Sequence, residues 1–312
     1  MLPIRRVAFF GPAGTFTEEA LLTQSDLASL DLVAQPTIEQ VLAATTDGTV
    51  DLGFVPIENG IEGTVNATLD GLVFGSELRI IREVVLEVHL NLLGVPGATL
   101  GELRQVRSFP HALAQCRTYL TEQLPGVTTA AATSTADAAR QVGEDGDPSV
   151  AAIATILAAS LYGLEVLQPA IEDHQGNQTR FVAVARRGIP EPTGQDRTSI
   201  VCFQDADRPG NLYSILGQFA ARNINLTKLE SRPTKQGLGE YCFVIDLDGH
   251  LADEVVADCL AELRATIGPV KFLGSYPHPG ALAAQRRAQV SERRASARAW
   301  IDALLDERFD DA

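Results

Sequence analysis

The chain is poor in the groups on which most metal and redox chemistry depends. Its 312 residues hold four cysteines and five histidines. Cys116, Cys202, Cys242 and Cys259 lie far apart, with no C-x-x-C pair and no histidine at metal-ligand spacing, so they read as reduced, mostly buried thiols and no metal site is expected. Positive charge is also in deficit. Against 40 acidic residues stand 25 Lys and Arg, a net charge of −15. Such a field repels polyanions, which excludes nucleic acid and anionic membrane as general partners and obliges an acidic small substrate to find a locally positive pocket. No apolar run reaches the ~18 residues of a spanning helix. The longest uncharged tract, residues 149 to 164, carries Ser, Thr and Gly. The N-terminal MLPIRRVAFFGPAG has only VAFF as an apolar core, too short for a signal peptide. A cytoplasmic protein is expected. What remains is globular composition, 45% hydrophobic and 21% charged, and a length of about two domains at roughly 150 residues each.

Up to about residue 187 short β-branched runs alternate with helical segments, the pattern of α/β layers around a largely parallel sheet. Strands are expected at RVAFF, DLGFVPI, GVTTAAA, SVAAIA and RFVAVA. Helix starts carry capping patterns at Thr15 with Glu18, Thr37 with Gln40, Thr99 with Glu102 and Ser134 with Asp137. Residues 78 to 94 form an apolar run too long for one ordinary strand of ~5 to 6 residues. A chain that crosses here to a second lobe and returns before RFVAVA gives a hinged cleft, with lobe one at about 1–87 and 176–187 and lobe two at about 88–175. Residues 188–197 are rich in Pro and Gly and read as a linker. Residues 198–277 then follow the β-α-β-β-α-β order of a ferredoxin-like domain. The tail, 278–312, reads as helical, with Ala297, Trp300, Ile301, Leu304 and Leu305 on one stripe.

Four segments sit at strand ends, where ligands bind in open α/β sheets. In GPAGTFTEEA, residues 11 to 20, the N–H groups around Gly14 and Thr15 are placed to hold a carboxylate, or else Thr15 only caps a helix. VPIENGIEGTV, residues 55 to 65, sets Glu58 and Asn59 just past a buried strand. SFPHALAQC, residues 108 to 116, puts Ser108 before a helix opened by Pro110; His111 reads as a solvated or capping residue. GNQTRF, residues 176 to 181, gathers Asn177, Thr179, Arg180 and Phe181, and strand alternation splits Thr179 from Arg180.

Together these motifs resemble the prephenate dehydratase family of phenylalanine biosynthesis, in its bacterial form with a C-terminal ACT regulatory domain. The resemblance runs from about residue 4 to 276 and includes NINLTKLESRP in the second domain. It implies a periplasmic-binding-protein-like catalytic region at 1–187 that converts prephenate to phenylpyruvate, water and carbon dioxide without a cofactor, with Thr179 essential. It also implies that Glu58 and Asn59 act beside Thr179, that Gly14, Thr15, Ser108, Asn177, Arg180 and Phe181 contact substrate, and that L-phenylalanine binds as effector. For that effector it implies Gly210, Asn211, Leu212, Asn225, Leu226, Glu230, Ser231 and Arg232, between ACT domains paired in a homodimer or homotetramer.

The chain departs from the family in three places. Gly60 stands where many members have Ser, Phe109-Pro110-His111 replaces a His-Pro-Gln sequence, and Gly210-Asn211-Leu212 replaces Gly-Ala-Leu.

Because the substrate ring is one elimination from aromaticity, the enzyme need only ease departure of the hydroxyl. Thr179 is expected to donate a hydrogen bond to the leaving oxygen, with water or Glu58 supplying the proton, and Arg180 or a helix N-terminus near residue 14 or 110 to hold a carboxylate. An arogenate dehydratase and a non-catalytic amino-acid-sensing protein stand as alternatives.

Overall fold

The computed structural model describes residues 4–204, 208–235, 237, 240–278 and 296–304. The chain divides into two compact units, one of residues 1–78 and 83–187, the other of residues 188–312 together with Arg79–Arg82.

The first unit contains two sheets. One has the order β2-β1-β3-β11-β5, with β1 at Arg6–Phe10, β2 at Asp31–Gln35, β3 at Leu52–Asn59, β5 at Arg79–Glu87 and β11 at Gln178–Ala185; the short β4, Gly63–Thr64, pairs with β3. The other has the order β10-β6-β9-β7-β8, with β6 at Asn91–Gly94, β7 at Gln105–Ser108, β8 at Thr128–Ala131, β9 at Val150–Ala154 and β10 at Glu165–Gln168. Helices α1 (Phe16–Leu22), α2 (Ser25–Ala28), α3 (Ile38–Asp47) and α4 (Asn66–Asp70) belong to the first lobe, and α5 (Pro110–Gln115), α6 (Arg117–Gln123), α7 (Thr135–Asp145) and α8 (Ile156–Tyr162) to the second. This two-sheet α/β layout is the periplasmic-binding-protein-like class.

The sheets are mixed, where a largely parallel sheet was expected. β1 pairs in parallel with β2 and β3, and β7 with β8 and β9, but β11 runs antiparallel to β3 and β6 antiparallel to β9. The strands that carry the chain out of one sheet and back supply the reversals. The apolar run of residues 78 to 94 does split, into β5 and β6 of different sheets. The two crossings lie side by side: Val88 N donates to Asn177 O at 2.7 Å and Ile171 N to Leu90 O at 2.8 Å. Glu172 joins them, its carboxylate accepting from Leu90 N at 2.9 Å and meeting His89 Nδ1 at 3.0 Å.

Three of the four capping patterns open α-helices, with Thr15, Thr37 and Ser134 accepting from Glu18, Gln40 and Asp137 N. Thr99 instead bonds Glu102 Oε2 beside a single 3₁₀ turn. With one turn of backbone and no buried side chain in it, that segment lacks the apolar face that makes a helix hold.

The second unit has β12 (Asp196–Phe203), α9 (Asn211–Ala221), β13 (Leu226–Pro233), β14 (Tyr241–Asp248), α10 (Glu254–Thr266) and β15 (Val270–Pro277), in an antiparallel sheet of order β13-β14-β12-β15. β12 begins inside the expected linker. Ile200, Ile245 and Leu247 of the sheet pack with Ile215 and Phe219 of α9 and Val256, Cys259 and Leu263 of α10. This is the ferredoxin-like order read from the sequence. All four cysteines are buried and free, and burial pushes the Cys202 thiol up to about 12 and the Cys259 thiol up to about 11, so neither is a thiolate nucleophile.

Of the expected C-terminal helix, residues 296–304 are helical and exposed, Trp300, Ile301 and Leu304 among them; residues 279–295 and 305–312, Leu305 included, lie outside the described residues. No described helix is long and apolar enough to cross a membrane.

Candidate active site

The site grows out of one antiparallel strand pair. Along β11 and β3, Thr179 faces Asn59 and Arg180 faces Glu58. Beyond them the register slips, so that Phe181 meets Pro56. Such a bulge re-aims side chains and tolerates a proline, which brings no N–H to the ladder. It divides β11 into an apolar core portion and a polar end. Phe181 belongs to the core, 1% exposed and stacked on Phe54 with ring centroids 5.8 Å apart; its side chain anchors the strand.

Thr179 is buried, and Asn59 Nδ2 donates to its Oγ1 at 2.8 Å. A hydroxyl that accepts a hydrogen bond is polarised to donate its own proton. The other end of the Asn59 amide accepts from Ile61 N at 2.9 Å and Glu62 N at 3.0 Å, which shapes the turn after β3.

Glu58 does not join this pair. Its carboxylate meets Arg180 Nη1 at 3.2 Å, while Arg180 Nε meets Glu83 of β5 at 3.0 Å. Three neighbouring strands thus carry an acid-base-acid ladder on the face opposite Thr179. The guanidinium expected to clamp a substrate carboxylate is flanked by two carboxylates of its own chain. Sequence reading missed Glu83. Its signal was an acid sharing a strand face with Ile81 and Val85 in RIIREVVLE: a charge buried in such a strand needs a partner.

The loop around Gly14 has a similar outcome. Thr15 caps α1, and Glu18 Oε2 accepts from Gly14 N at 2.6 Å, a reciprocal box that occupies the N–H expected to hold a ligand carboxylate. Glu19 follows, its carboxyl raised by burial while His89 pulls it down. Two acids at this end disfavour an anion. The loop instead fastens the lobes: Thr155 Oγ1 donates to Gly14 O at 2.7 Å and Tyr162 OH to Ala13 O at 2.9 Å. Gly14, at φ +88, lies so close that a Cβ would come 3.2 Å from that of Ala158. Thr155, fully buried, also caps α8. With no acid three residues on, it lacked the capping-box signal.

Ser108 is fully buried and donates to Ile153 O at 2.6 Å, joining β7 to β9. His111 meets Glu62 of the other lobe, Nδ1 to Oε2, at 3.0 Å. Asn177, two residues before Thr179, is 6% exposed and its Oδ1 is buried without a hydrogen-bond partner. A Cβ on Gly60 would lie 3.6 Å from that oxygen in ordinary contact. Gly60→Ser should therefore raise stability by about 0.5–1.5 kcal/mol through a new hydrogen bond; thermal unfolding checks it, and an unchanged or lower midpoint counts against the orphaned acceptor. Among the described residues no group of three or more His, Cys, Asp or Glu is placed to hold a metal ion.

In the second unit, Gly210 caps α9 at φ +90 and Asn211 Nδ2 donates to Gln204 Oε1 at 2.8 Å, while Leu212 is exposed. Asn225 Nδ2 donates to Asp248 at 2.9 Å, and Leu226 packs against the core. β13 is an edge strand. Its register sets Leu229 opposite the core residue Ile245, so Glu230 and Arg232 lie on the other face, where they pair at 2.9 Å; Ser231 is exposed opposite Phe243. The expected effector residues therefore divide between the two faces of the sheet.

Fold and site together define a two-lobed α/β protein with a hydroxyl-centred polar site and an appended ferredoxin-like module. The prephenate dehydratase profile matches residues 7–189 and the ACT domain profile residues 198–265. The chain belongs to the prephenate dehydratase family. It is 43% identical over 302 residues to the prephenate dehydratase of Amycolatopsis methanolica, covering 96% of this chain and 97% of the relative. The structure of the Arthrobacter aurescens prephenate dehydratase in complex with L-Phe superposes with a TM-score of 0.85 at 40% identity, covering 96% and 99% of the two chains. GqqA, described as a quorum-quenching acylase, superposes at 0.80 with 33% identity, covering 88% and 98%.

Proposed function

We propose that this chain catalyses the decarboxylative dehydration of prephenate to phenylpyruvate in L-phenylalanine biosynthesis, in the cytoplasm and without a cofactor. The observation that carries the reading is the Asn59 to Thr179 hydrogen bond, which leaves the threonine proton directed away from its partner. In the reaction the C–CO₂⁻ bond breaks, its electron pair completes the aromatic ring, and the ring hydroxyl departs. One proton is taken up and carbon dioxide and water are released. Thr179 stabilises the oxygen as negative charge gathers on it. Water serves as the ultimate proton source, since Glu58 is held at Arg180.

Family likeness to GqqA raises acyl transfer as a second reading. That chemistry needs a base to take the nucleophile's proton. Asn59 donates to Thr179, and Ser108 gives its proton to a backbone carbonyl, so elimination is favoured. Incubating the purified chain separately with prephenate, arogenate and an acyl amide distinguishes the readings. Phenylpyruvate from prephenate is the expected result; turnover of the amide alone would overturn it.

The same proposal makes the ACT domain the sensor of L-phenylalanine, supported by the L-Phe complex of the Arthrobacter relative. The open edge of β13 suits pairing with a second copy, in a homodimer or homotetramer. Calorimetric titration should show saturable binding, lost when residues 197 to 276 are deleted.

A further inference from the structure

Glu62 and His111, the latter read from the sequence as a solvated or capping residue, meet at 3.0 Å in a contact that the proposed reaction does not use. It spans the two lobes. Glu62 lies on the turn after β3, His111 in the first turn of α5, and their side chains are 47% and 55% exposed. Nδ1 of His111 and Oε2 of Glu62 approach to 3.0 Å, an ion pair when the imidazole is protonated. Phe109 stacks on the imidazole at 5.4 Å and 13°, which sets the ring plane. Both aromatic positions are those at which this chain departs from the family's His-Pro-Gln sequence.

The turn that bears Glu62 is itself held by Asn59, whose Oδ1 accepts from Ile61 and Glu62 N while its Nδ2 donates to Thr179. An amide is a rigid plane with its acceptor and donors fixed relative to one another. Displacing the turn therefore rotates the amide and moves its donor off the threonine. We propose that Glu62 and His111 are positioning residues: their contact latches the lobes and, through Asn59, sets the orientation of the Thr179 hydroxyl. The catalytic half of this inference rests on the dehydratase reading. Exposed ion pairs are weak, which suits a contact that opens to admit substrate. The buried clamp from Thr155 and Tyr162 to the Gly14 loop is built to stay shut.

Steady-state kinetics of His111→Ala, Glu62→Ala, the double variant and His111→Gln test the latch. Each alanine variant should lower kcat about fivefold with KM changed less than about twofold, and the double should fall no further, since both remove one interaction. His111→Gln, whose amide can still donate to Glu62, should recover to within about twofold of the parent. Multiplying effects in the double variant, or parent-like kcat in the singles, would overturn the proposal. A readout independent of turnover is the side-chain amide signal of Asn59 in ¹⁵N NMR. Its movement in His111→Ala is expected, and a signal unchanged from the parent overturns the wiring. A parent chain inactive on prephenate whose Asn59 signal still moves would keep the latch and remove the dehydratase reading.

Discussion

Thr179→Ala is expected to lower kcat by ~10² to 10³-fold, the loss typical of removing one donor from a developing oxyanion, with KM changed little. On the proposed mechanism the hydroxyl acts on charge that appears only as the C–O bond breaks, so ground-state binding loses little with it. Deleting a small buried side chain next to Asn59 leaves the fold in place, and circular dichroism should match the parent. Thr179→Ser, which keeps the oxygen, should retain most of the turnover. Stopped prephenate assays measure both, and near-parent kcat in the alanine variant would remove Thr179 from the chemistry.

Arg180→Met should act first on stability. Glu83 has a side chain 1% exposed and Arg180 one 11% exposed, and breaking a buried ion pair by removing one partner costs about 3–5 kcal/mol because the remaining charge loses its compensation. The double variant Arg180→Met with Glu83→Met should regain most of that, since apolar replacement of both partners is often neutral. Urea denaturation of the three proteins measures this. The double variant also asks whether the guanidinium touches substrate: a stable double variant whose KM for prephenate rises more than about tenfold would show that it does, against the ladder geometry.

The gross plan was readable because it follows from periods and lengths. Seventeen residues from 78 to 94 are too many for one strand, and the structure divides them between two sheets. The β-α-β-β-α-β alternation of the second unit was visible for the same reason. The strands not foreseen were β2, the two-residue β4, β7 and β10. β2 and β10 lie at sheet edges and carry only partial burial, so neither shows the apolar alternation that marks a half-buried strand. β7 is central but four residues long, with Gln105 and Arg107 turned out of the core.

At the site, Asn59 and Thr179 stood out because each is a polar residue at one end of an apolar strand, Asn59 closing β3 and Thr179 opening β11; it was the family resemblance that set them, with Glu58, beside one another. The fate of Arg180 was not legible. Strand alternation separated it from Thr179, but its partner lies 97 positions away on a strand whose pairing with β11 only the folded sheet reveals. A cation beside a threonine looked like a clamp because composition does not say which acids come to meet it. The Gly14 loop was left open between a carboxylate cradle and a helix cap for a related reason: Glu18 was counted as a helix-start signal, and the sequence did not show that the same carboxylate also takes the Gly14 N–H.

The return crossing has a consequence for how this family can change. The carbonyl of Asn177 is pinned to Val88, and Thr179 follows only two residues later on β11. Only Gln178 separates that pinned carbonyl from the Thr179 hydroxyl. Because side chains alternate along a strand, gaining or losing a single residue within that stretch would exchange the threonine for the arginine on the face that carries Asn59. The length of that stretch is therefore as constrained by the strand's period as its residue types are by their contacts.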